Sequence, residues 1–157
     1  MKLFLSFVLL LTTSCCFARD QVDILAKAIG KAEGFGVPRT LPTRCHNPGD
    51  IKALRGYKFP GQRGVTKGYV VFKSDKAGWE ALRHQIEKII AGESRYSVNL
   101  TLKQLGKRYA ESSIWPRVVA KYLSVEPSTE LWEILDVPPL LESKTCPCLT
   151  TAYRAAL

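Results

Sequence analysis

From Val22 the apolar positions recur at spacings of three and four. Val22, Leu25, Ala28, Ile29 and Ala32 form one stripe, the period of a helix buried along one face. The pattern runs into Glu33 and stops at Gly34, so the helix is expected to end there. Glu33 lies one turn after Ile29, on the stripe itself. A polar stretch from Val37 to Gly68 follows, punctuated by Pro38, Pro42, Pro48 and Pro60 and by glycines, and reads as loop with room for a short hairpin. Gly68–Phe72 reads as a short strand leading to Ser74, an N-cap with Asp75 in the first turn. The helix after it places Ala77, Trp79, Leu82, Ile86 and Ile89 on one face and stops at Gly92. Its Arg83, His84, Glu87 and Lys88 side is solvated, with His84 given no partner.

Thr101 with Gln104 forms a capping box before Leu102, Leu105 and Tyr109. Trp115-Pro116 opens another helix, expected to bury Val118, Val119, Tyr122 and Leu123. Ser128 precedes a last short helix, Thr129 to Leu135. The fold class expected is α+β, mainly α, with a small β-hairpin or loop-rich wall, over residues 19–135. An irregular tail, 136–157, carries Pro138, Pro139 and Cys146-Pro147-Cys148.

The 157 residues leave room for one domain, and 46% hydrophobic content allows it a core. Residues 1–18 have a basic start at Lys2, a nine-residue apolar run from Leu3 to Leu11 and a small polar stretch ending in Ala18. This reads as a signal peptide, too short for a membrane span, cleaved near Ala18. The expected location is therefore periplasmic or secreted, with no stable membrane insertion. Lipid attachment at Cys15 or Cys16 is disfavoured by the Thr three residues before each.

The net charge of +9, or +8 once Lys2 leaves with the leader, favours polyanions: nucleic acid, anionic lipid, or the carboxylates and phosphodiesters of a bacterial wall. A nucleic-acid role rests on charge alone, since there is no helix-turn-helix pattern, zinc-finger spacing or RNA-binding aromatic motif, so no nucleic-acid partner is expected. Of five cysteines, Cys45, Cys146 and Cys148 follow the leader. An odd number implies at least one free or intermolecular thiol, and a disulfide from Cys45 would pin the tail beside Asn47. Cys45-His46 with Cys146 and Cys148 also supplies four zinc-type ligands, but a one-residue gap between cysteines is not the usual zinc spacing. No metal or cofactor is expected.

The candidate chemistry centres on Glu33. A carboxylate on an apolar stripe at its helix's negative end is pushed toward its protonated form, although Lys27 and Lys31 oppose this. The plainer alternative is a solvated last-turn residue before a helix stop. Three short segments stand in order: KAEGFGVP around Glu33, HNPGDIK from His46, and GYVVFKSDKAGWEAL from Gly68. Together they resemble a group of lysozyme-like muralytic domains, phage endolysins and transglycosylase-like domains among them. The resemblance covers about Asp23 to Leu135.

That resemblance implies a lysozyme-like helical domain in which residues 46–52 line one wall of a glycan cleft. It implies cleavage of the β-1,4 bond between N-acetylmuramic acid and N-acetylglucosamine, by lytic transglycosylation or hydrolysis, with Glu33 as general acid. The partner would be peptidoglycan glycan strands; oligomeric state is left open. Asp50 is the nearest second carboxylate, standing where the family usually has Asn, with Asp75 and Glu80 behind it. Asn47 could hold an N-acetyl group through its amide, or serve only an Asx-Pro-Gly turn. Phe72 is the candidate for stacking on a sugar, with Trp79 assigned to the core. Tyr109 sits where such domains often place a tyrosine near the acid, or simply packs. The competing class is a non-catalytic wall-binding or phage-particle-like structural protein that keeps the cleft.

Overall fold

The structure is a computed structural model that describes residues 20–110 and 112–141. It is α+β and 45% helical, with a two-stranded antiparallel sheet. Helix α1 occupies residues 20–32 of the described chain and buries Val22, Leu25, Ala28 and Ile29. It ends as the sequence predicts, and the geometry explains why. Phe35 N–H donates to Gly30 C=O at 2.8 Å and Gly34 N–H to Lys31 C=O at 3.1 Å. This Schellman closure requires the left-handed φ of +78° that Gly34 adopts.

A one-turn helix, α2 (Leu41–Arg44), interrupts the segment read as loop. Pro42 at its start and Thr40 before it, whose hydroxyl bonds the Gly34 and Val37 carbonyls, favour the turn locally. The expected hairpin is present as β1 (Gln62–Thr66) and β2 (Tyr69–Phe72), paired from Thr66↔Tyr69 to Gln62↔Phe72 with an irregularity between Gln62 and Gly64. Residues 45–53 run along the other side of β2. Val70 N–H donates to Ile51 C=O, Phe72 N–H to Cys45 C=O and Ala53 N–H to Gly68 C=O, at 2.8–2.9 Å.

Helix α3 (Asp75–Ile90) starts at Ser74, whose hydroxyl accepts from Ala77 N–H at 3.3 Å. Its inner face, with Leu82, Ile86 and Ile89, packs into the same core as Leu25 and Phe72. The Thr101–Gln104 capping box opens α4 (Leu102–Tyr109). Helix α5 (Trp115–Leu123) lies against α4, close enough that a Cβ on Gly106 would stand 2.4 Å from Pro116. The last helix, α6 (Leu131–Leu135), begins two residues later than expected. Thr129 and Leu131 are held in backbone pairing with Leu102 and Leu100, and Glu130 takes the cap in a box with Glu133.

Two further expectations are corrected. Tyr122 is 56% exposed although it stands in phase with the buried Trp115 and Val119, and Val118 and Leu123 are only half-buried. His84 is not without a partner: its Nδ1 lies 3.6 Å from Glu87. Among the described residues no helix is long and apolar enough to cross a membrane. The expected signal peptide, residues 1–18, and the residues beyond 141, with Cys146 and Cys148, lie outside the described residues.

Candidate active site

The turn Asn47-Pro48-Gly49-Asp50 is the structural pivot of the site. Asn47 is completely buried. Its Nδ2 donates to both Ile51 C=O and Val70 C=O at 3.0 Å, and its Oδ1 accepts from Ile51 N–H at 2.9 Å. Both amide protons are therefore used, and the side chain has no face toward a ligand. Of the two roles considered for Asn47, the structure assigns the turn, and contact with an N-acetyl group is ruled out in this conformation.

Helix α3 approaches this turn at Gly78, where a Cβ would stand 1.9 Å from the His46 carbonyl oxygen. Next to it, Trp79 lies over Gly30 of α1, where a Cβ would meet its ring at 2.5 Å, and edge-on to Phe35 at 5.2 Å between centroids. Gly49 is equally confined, with Leu82 and the Tyr109 hydroxyl in its Cβ space. The three short segments thus meet in space. Gly49 and Gly78, with Phe35, Phe72 and Trp79, serve close packing there.

Phe72 belongs to that packing too. It is 0% exposed, since the strand's alternation turns Val70 and Phe72 inward, so it offers no platform to a sugar. The expectation for Phe72 is corrected accordingly.

Glu33 occupies the C-cap of α1, half-buried, and accepts a hydrogen bond from Trp115 Nε1 at 2.7 Å. Burial pushes its carboxyl up from 4.5 to about 7, the Trp115 hydrogen bond opposes the rise, and the negative charge of Asp50 adds to it. Near neutrality Glu33 is divided between acid and carboxylate, the condition a proton donor requires.

Asp50 ends the turn with φ +45°, a left-handed conformation that Asp and Asn tolerate better than most side chains. Burial raises its pKa while Lys52 opposes the rise. Its Oδ1 is buried and makes no hydrogen bond to the protein. An ionised oxygen in that condition is costly unless something polar meets it.

Tyr109 closes the group from α4. Its hydroxyl donates to Gly49 C=O, and its ring leans on Trp115 at 5.5 Å and Tyr96 at 6.1 Å between centroids. Its phenol is held well above the ordinary range by burial, then by the charges of Glu33, Tyr96 and Asp50. Glu33, Asp50 and Tyr109 therefore share one electrostatic environment. Asp75 and Glu80 are engaged elsewhere, with His46 Nδ1 at 2.6 Å and Lys76 Nζ at 4.0 Å.

Trp115 is the site residue that sequence reasoning missed. It was read only as the opening of a helix, and 82 residues separate it from Glu33. Cys45 is buried and its thiol is pushed up, first by burial. No group of three or more potential metal ligands occurs among the described residues. No known protein family, curated protein or solved structure matches this chain.

Proposed function

We propose that the protein is a lysozyme-like muralytic enzyme that hydrolyses the β-1,4 bond between N-acetylmuramic acid and N-acetylglucosamine in peptidoglycan. The observation that carries this reading is a half-buried Glu33, held near neutral pKa, electrostatically coupled to Asp50 with its unpartnered oxygen. The substrate class comes from the resemblance of three ordered segments, now found side by side. The basic surface suits an anionic wall.

On this reading the Glu33 carboxyl gives its proton to the glycosidic oxygen as the bond from C1 to that oxygen breaks. Asp50, ionised, accepts a proton from water as the water oxygen bonds to C1. The pair ends with Glu33 ionised and Asp50 protonated, and exchange with solvent restores both. This is the division of labour of two carboxylates, one acting as acid and one as base. Trp115 steadies the Glu33 carboxylate after transfer, and Tyr109 positions the turn that carries Asp50.

The test is Glu33→Gln. The amide keeps shape and accepts from Trp115, but has no acidic proton. Release of soluble fragments from purified peptidoglycan is expected to fall by roughly 10²–10⁴-fold, with sedimentation on the same peptidoglycan unchanged. Undiminished release would remove Glu33 from the chemistry. Binding without release in the unaltered protein would favour a non-catalytic wall-binding domain.

A further inference from the structure

A second concave feature lies where α4 meets α5. A cavity of about 660 Å³ is lined by Lys103, Lys107, Ser112, Ser113, Arg117 and two prolines, Pro116 and Pro127. Its volume is in the range of small-molecule sites. It contains none of Glu33, Asp50 or Tyr109, so it is not the glycan site under another name.

Three cations around one hollow repel one another, and a surface that serves only solubility would intersperse them with carboxylates. Lys103 and Lys107 are four residues apart and so share a face of α4. Arg117 reaches the same hollow from the first turn of α5. None of the three has an ion-pair partner among the described residues.

The geometry is held rigidly. Gly106 and Pro116 fix how closely α4 and α5 approach. Ser112 Oγ accepts from Ile114 N–H and Trp115 N–H at 3.2 and 3.3 Å. Its lone pairs are thereby occupied, and its proton remains to be donated. The hollow therefore offers a guanidinium fork, two ammonium groups and two hydroxyls, a set rich in donors and rich in positive charge.

We infer that this groove between α4 and α5 is a binding site for a phosphate ester. A tetrahedral phosphoryl group, dianionic in a monoester and singly charged at each link of a diester polymer, can use a planar fork, point charges and hydroxyl donors together, whereas a single carboxylate would satisfy the fork alone. The hollow is larger than one phosphate, and the proline faces provide an apolar seat for the organic body that carries it. This inference is independent of the peptidoglycan reading. The phosphate could be carried by a free polyol or sugar monoester, or repeat along a phosphodiester polymer.

The experiment uses the chain from residue 19, titrated at low ionic strength with glycerol 3-phosphate and separately with poly(glycerol phosphate), followed by backbone amide NMR and calorimetry. Saturable shifts centred on Lys103, Lys107, Ser112, Ser113 and Arg117 and absent at Glu33 and Asp50, with binding weakened at least about tenfold in the Lys107→Gln/Arg117→Gln double variant, are expected. Both cations are exposed, so the variant should fold; its unchanged thermal unfolding is the control. Comparable affinity per phosphate for the two ligands assigns the site to a monoester, and at least tenfold tighter polymer binding assigns it to the polymer. Two outcomes overturn the inference. One is the absence of saturable binding of either ligand at millimolar concentration. The other is binding that spreads over the whole surface, matches an oligonucleotide of equal charge, and ignores the double variant.

Discussion

Asn47 and Asp50 stand at opposite ends of one four-residue turn and have opposite fates. Asn47 is fully buried with its amide protons and oxygen bonded, whereas Asp50 keeps a buried oxygen that no protein group meets. Satisfied polarity rigidifies, whereas a buried oxygen without a hydrogen bond carries a cost that protonation or an ordered water relieves. On the proposed reading, one end of the turn is scaffold and the other carries the base. The same contrast holds between Phe72, sealed in the core, and Glu33, half-buried at a helix end.

The comparison is most severely tested at Asp50. Asp50→Asn is expected to lower peptidoglycan cleavage by roughly 10²-fold or more while leaving thermal stability nearly unchanged. Because the Asp50 charge helps raise the Glu33 carboxyl, the same variant should also move the Glu33 titration, followed by side-chain carboxyl NMR, to lower pH. An unmoved titration would uncouple the two carboxylates.

Asn47→Ala should do the reverse. Loss of three hydrogen bonds inside a buried turn is expected to cost about 3 kcal/mol, or roughly 10–20 °C in thermal midpoint. A midpoint within two or three degrees of the parent, read by calorimetry, would mean that the turn is held by something other than Asn47. Tyr109→Phe removes the donor to Gly49 C=O and is expected to cost about 1 kcal/mol in denaturant unfolding.

A further effect concerns pH. Unfolded, Glu33 loses its proton near 4.5, and folded near 7. Between these values the folded state holds more protons, so rising pH draws stability down, and the loss is complete above about 7. Glu33→Gln removes that dependence. The variant should therefore melt higher than the parent above pH 7, with the gap closing below 4.5. Parallel melting curves across this window would show that folding does not raise the Glu33 carboxyl.

What could be read along the chain was what neighbours decide. The stop at Gly34, the Ser74 cap and the Thr101–Gln104 box are set within a few residues, and each is in place. The apolar stripe of α1 also located Glu33 at the boundary of the core. What could not be read was tertiary. Trp115 reaches Glu33 across 82 residues and Tyr109 reaches Gly49 across 60, and no local period announces such a pairing. Phe72 as a sugar platform, and the choice between the two roles of Asn47, turned on the same thing: residue type shows what each can bind, but only packing determines that neither faces outward. Gly78 is the instructive case: it stands inside the segment from Gly68 to Leu82 that carries part of the resemblance, and the reason for a glycine there, a Cβ only 1.9 Å from the His46 carbonyl oxygen, is visible only in three dimensions.

The central claim, that Glu33 and Asp50 work as acid and base on a wall glycan, is tested most directly by mass spectrometry of soluble products from purified peptidoglycan. The account predicts fragments with reducing ends, each cleavage having gained one water, and their loss in both Glu33→Gln and Asp50→Asn. Anhydro-ended fragments that survive Asp50→Asn would contradict it, because the substrate's own hydroxyl would then have taken the place of the water assigned to Asp50.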